Sequence, residues 1–73
     1  MTEINLDTKG MRCPQPVLKI AATMPKMSEG DILKIVGDCA TFEEDIRKWC
    51  NRMKKTLLSA HQEGDATVIQ ILF

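Results

Sequence analysis

The chain has 73 residues, and its ten basic and ten acidic side chains cancel to a net charge of zero. A chain this short buries roughly 60% of its unfolded surface, enough for one small core and not for a catalytic domain plus a substrate domain. Apolar residues make up 44% and aromatics 4%. This composition excludes a disordered chain, and it lacks the basic excess and stacking platforms of a dedicated nucleic-acid binder.

Ile4 and Leu6 alternate with Glu3, Asn5 and Asp7, the pattern of a short half-buried strand. Thr8-Lys9-Gly10 reads as a loop, with Gly10 free to take a positive φ. Met11-Arg12-Cys13-Pro14-Gln15-Pro16 leads into a helix whose apolar face is Val17, Ile20, Ala21 and Met24. Pro25 ends that helix. Two placements of Cys13 are open. It is the N-cap with Pro14 at the first helical position, or it lies on an extended lead-in to a helix that begins at Pro16.

Ser28-Glu29-Gly30-Asp31 is a turn, and Ile32-Leu33-Lys34-Ile35-Val36 reads as an interior strand. Gly37-Asp38-Cys39-Ala40 connects it to a second helix. Thr41 and Glu44 have capping-box spacing at its start. Phe42, Ile46, Trp49 and Met53 mark its core face, and Cys50 lies on the core side as a structural cysteine. Thr56 to Gln62 and Ala66 to Phe73 read as a hairpin turning at Glu63-Gly64-Asp65, with Thr67, Ile69, Ile71 and Phe73 on one face. The expected fold is α+β in the order β-α-β-α-β-β. It is a two-layer sandwich with a four-stranded mixed sheet and both helices on one face. Residues 1–73 are read as a single domain.

The chain opens Met1-Thr2-Glu3-Ile4-Asn5, without the basic and apolar regions of a signal peptide, and nowhere reaches the roughly 20 apolar residues of a membrane span. The expectation is a cytoplasmic protein with no membrane partner. Its three cysteines cannot all pair within the chain, and in a reducing compartment a special one is reactive rather than structural. Cys13 is the candidate. Either placement leaves its sulfur near the positive end of a helix dipole and beside Arg12, and both influences favour thiolate over thiol. Such a thiolate attacks sulfane sulfur and holds it as a persulfide without a neighbouring base. The competing reading is a small buried hydrophobe, the common fate of a free cysteine.

Leu6-Asp7, Gly10 and Arg12-Cys13-Pro14-Gln15-Pro16 resemble the CPxP signature of the TusA/SirA family of sulfur carriers. The likeness extends through Gly30-Asp31, Gly37-Asp38-Cys39-Ala40-Thr41 and Asp45-Ile46, nearly the whole chain. It implies a fold akin to the C-terminal domain of a translation initiation factor. It implies that Cys13 carries the persulfide, supported by Arg12, Pro14, Gln15 and Pro16. It also implies a cysteine desulfurase or rhodanese-like sulfur donor and a downstream sulfur-relay acceptor, for tRNA thiolation, molybdenum cofactor enzymes or sulfur oxidation. The chain would be a sulfurtransferase-like carrier that needs partner enzymes, with no cofactor and no metal. Asp38-Cys39-Ala40 stands where many relatives have acid-acid-proline, and Gln15 where an acid is frequent; both differences bear on which partner is used.

Cys13 and Cys39 each follow one of two parallel strands, so both emerge at one sheet edge. Cys39 therefore resolves a Cys13 persulfide or closes a regulatory disulfide, or else is a loop cysteine without a role; a bridge needs Cα atoms within about 7 Å. Two other function classes remain. One is a thiol-based redox module using Cys13 and Cys39. The other is a small RNA-binding module using Arg47, Lys48, Arg52, Lys54 and Lys55, a stretch that also reads as a solvated helix face. His61, the single histidine, reads as a partly exposed strand residue, and the cysteine spacing lacks the paired ligands of a zinc site.

Overall fold

The computed structural model describes residues 3–12 and 15–73. Cys13 and Pro14 lie outside them, so both readings of the Cys13 placement do too. The described residues form β1 (Glu3–Asp7), α1 (Gln15–Thr23), β2 (Ile32–Gly37), α2 (Phe42–Met53), β3 (Thr56–Glu63) and β4 (Ala66–Leu72), plus one 3₁₀ turn at Met24–Lys26. The sheet order is β1-β2-β4-β3. β1 pairs parallel to β2, while β4 pairs antiparallel to β2 and to β3. This is the expected α+β sandwich with a mixed sheet.

Register decides which residues meet the helices. Leu33 faces Ile71, and Ile35 faces Ile69, across the β2–β4 ladder. Ile4 and Leu6 pair with the same two β2 residues from the other side. These side chains line one face of the sheet, and Ile20 of α1 with Phe42, Ile46, Trp49 and Cys50 of α2 close over it as a single cluster. Leu33, Ile35, Ile46, Ile69 and Ile71 are completely inaccessible. Each such side chain contributes about 1.5–3 kcal/mol by leaving water. Trp49 meets Phe73 with ring centroids 6.1 Å apart at 44°, the tilted geometry that aromatic quadrupoles favour.

Four details depart from the sequence reading. α1 opens at Gln15, one residue before Pro16. A proline disfavours helical angles in the residue ahead of it, but Gln15 is secured by its N–H donating to the Arg12 carbonyl at 2.7 Å. Pro16 falls in the first turn, where its missing N–H breaks no intrahelical bond. Pro16 and Ile20 are buried, while Ala21, expected on the apolar face, is exposed. On α2, Cys50 is buried as expected, but Met53, expected on the core face, is 39% exposed.

The capping box does not form. Thr41 is the N-cap, but its hydroxyl makes no bond to a helix N–H and donates to the Asp45 carboxylate at 3.0 Å. Glu44 pairs with Lys48 one turn further on. At the other end Lys54 ends α2 in the left-handed conformation at φ 58°, a position that glycine usually occupies. α1 stops at Thr23, and the chain passes through Pro25 as the 3₁₀ turn.

Candidate functional site

The parallel pairing of β1 and β2 brings their C-terminal ends side by side, with Asp7 opposite Val36. The two segments that follow, 8–12 and 38–41, leave the same edge of the sheet. The loop after β1 is pinned at its root. Thr8 is wholly buried, and its N–H and its hydroxyl both donate to the Val36 carbonyl at 2.7 Å. The Asp7 carboxylate accepts the Lys9 N–H at 3.0 Å, and the Met11 N–H returns to the Thr8 carbonyl at 3.2 Å. Gly10 has φ 85°, as the sequence reading expects; the conformation is costly for a residue with a Cβ.

Sequence reasoning missed the tie between the two loops. The Gly10 N–H donates to the Asp38 carboxylate at 3.0 Å. The sequence reading takes Asp38 only as part of the connection to α2, because its partner lies 28 positions away. Only the β1–β2 pairing brings them together. Gly10, Met11 and Arg12 then share a surface depression of about 460 Å³ with Asp38, Cys39 and Thr41. Arg12 and Gln15, which flank the Cys13-Pro14 pair, are both exposed, while Pro16 is buried. Cys13 and Pro14 themselves are outside the described residues.

Cys39 is half-buried and packs against the core cluster. It is disulfide-bonded, and its sulfur lies 3.9 Å from the Thr41 hydroxyl. A second, polar hollow on its far side is lined by Glu43, Gln62, Asp65 and Thr67, so the β3–β4 hairpin also reaches this end of the molecule. Cys50 differs in kind. It is a free thiol and only 3% exposed. Burial pushes its pKa up, and the Arg47 charge opposes this only in part. A thiol held neutral in this way is a poor nucleophile.

The basic stretch of α2 is partly neutralised in place. Arg47 pairs with Glu43 at 2.9 Å and Lys48 with Glu44 at 3.4 Å, and Lys55 sits over the Phe73 ring. His61 is exposed and contacts Glu63 at 3.1 Å. On the outer side of α1, Leu18 is 62% exposed and forms a shallow apolar patch with Met11 and Ala22, bordered by Gln15 and Lys19. Among the described residues no helix is long and apolar enough to cross a membrane.

The family model described as "Sulfurtransferase TusA" matches residues 4–72. A protein of Aquifex aeolicus (strain VF5) named "Putative sulfur carrier protein" is 38% identical over 66 residues, which is 90% of this chain and 34% of that protein. The chain thus spans about a third of the length of that curated relative.

Proposed function

The chain belongs to the TusA family, and from that premise we propose that it is a sulfur carrier that takes up sulfane sulfur as a persulfide on Cys13 and passes it to a partner protein. The observation that carries the reading is the family match across the run Arg12-Cys13-Pro14-Gln15-Pro16, which joins the end of β1 to the start of α1. Its described flanks support it. Arg12 and Gln15 are exposed, and α1 begins at Gln15 with no acid in its first turn. A helix start and a neighbouring guanidinium both lower a cysteine's pKa.

Loading is a thiol exchange. The Cys13 thiolate attacks the terminal sulfur of a donor persulfide, one sulfur–sulfur bond forms as another breaks, and the donor leaves as its thiolate. No electrons leave the pair, and no cofactor is required. Delivery is the same reaction with the roles exchanged. The donor is a cysteine desulfurase or a rhodanese-like protein, and the acceptor a sulfur-relay protein, for tRNA thiolation or for sulfur and cofactor metabolism. The apolar patch around Leu18, beside Met11 and Gln15, offers both partners a landing surface next to the motif. Residues 1–73 act as one carrier domain in the cytoplasm, where thiols stay reduced.

The test is loading by a cysteine desulfurase and free cysteine, read by intact-protein mass spectrometry. Wild type gains one sulfur atom that dithiothreitol removes, and Cys13→Ser gains none. Equal loading of the two proteins overturns the proposal.

A further inference from the structure

We propose that Cys39 is a resolving thiol that discharges an undelivered persulfide from Cys13; this rests on the carrier reading above. Three observations carry it. Cys39 stands in a disulfide in the structure rather than as a thiol, while Cys50 is free and buried in the core. Arg12, the residue just before Cys13, lines the same depression as Cys39. The Gly10–Asp38 bond at 3.0 Å holds the two loops together, so the approach does not depend on a chance encounter of free loops.

The chemistry closes on itself. The Cys39 thiolate attacks the inner sulfur of the Cys13 persulfide. The Cys13–Cys39 bond forms, the bond to the outer sulfur breaks, and that sulfur leaves with the electron pair as hydrosulfide. The sulfane sulfur is reduced to sulfide and the two cysteines are oxidised, so no outside oxidant enters. A dithiol reductant restores the two thiols by exchange, leaving as its own disulfide. The consequence is a lifetime on the loaded state. Sulfur handed promptly to an acceptor is conserved, and sulfur that waits is released. Attack on the outer sulfur would instead move the persulfide to Cys39 and release nothing.

The experiment loads reduced full-length wild type, Cys39→Ser, Cys39→Ala and Cys13→Ser with inorganic polysulfide without oxygen, removes the excess, and follows sulfide release and intact mass. In wild type we expect one sulfide per loaded chain and a reducible peptide cross-link between positions 13 and 39. The Cys39 variants should keep their added sulfur about tenfold longer. Equal persulfide lifetimes, or sulfur lost without that cross-link, overturn the resolving role and leave the carrier reading intact. Persulfide migrating to Cys39 without sulfide release also overturns it. Failure of both Cys39 variants to load, matching Cys13→Ser, overturns the carrier reading itself and this inference with it.

Discussion

The two helices cover the same sheet face and do different work. α2 spans twelve residues and sinks Phe42, Ile46, Trp49 and Cys50 into the core. Its three first-turn acids and its Glu–Arg and Glu–Lys pairs suit the helix field and solvent. α1 spans nine residues, buries only Pro16 and Ile20, and carries neither acids at its start nor bases at its end. α2 is the deeply seated helix, and α1 is the lightly anchored one. The sheet-facing burden thus falls unequally, with four buried side chains on α2 against two on α1.

The sharpest break of that comparison is truncation in each helix. Ile46→Ala in α2 removes a side chain with no exposure and should cost about 2–5 kcal/mol. Leu18→Ala in α1, where the side chain is 62% exposed, should stay within about 0.5 kcal/mol while weakening transfer from a protein donor more than loading by polysulfide. Urea midpoints measure the first contrast and paired loading assays the second. Comparable destabilisation by the two variants would erase the division of labour.

A smaller effect is expected where α2 is seated on the sheet. A Cβ on Gly37 would run into the Phe42 ring, so Gly37→Ala should cost about 1–3 kcal/mol by overpacking. Thermal unfolding should show it as a lower midpoint, and a far-ultraviolet spectrum as retained helix. The smallest effect has the opposite sign. Lys54 ends α2 at φ 58°, and Lys54→Gly should stabilise by about 0.5–1 kcal/mol by relieving left-handed strain. An unchanged or lower urea midpoint would show that the Lys54 side chain contributes more than its backbone costs.

How legible each part was depends on the range of the interactions. Phe42, Ile46 and Trp49 fall on one helical face by spacing alone, and the alternation of Thr67, Ile69 and Ile71 marks an inward strand face; the fold followed from such local patterns. Errors arose where a pattern needed a phase. On α1 the inward stripe runs through Pro16 and Ile20, and Ala21, one position round from Ile20, faces solvent. Met53 fits the spacing of α2 but lies in its last turn and stays 39% exposed, while Cys50 is buried as expected. Thr41 had the right residue type for a capping box and spent its hydroxyl on Asp45. The candidate site was half legible. Arg12 and Gln15 could be named from the motif, whereas the Gly10–Asp38 tie and the Cys39 packing exist only through strand pairing between distant segments.

The outer strands carry one more consequence. β3 lies at an edge of the sheet, and its register slips between Leu57 and Ser59. Leu58, 45% exposed, sits at that slip. A straight border with unused amide groups invites a neighbouring molecule to zip on, chain after chain. The kink spoils the template, because a second strand can match one half of the border and not both. The β3 border is therefore a poor seed for edge-to-edge growth.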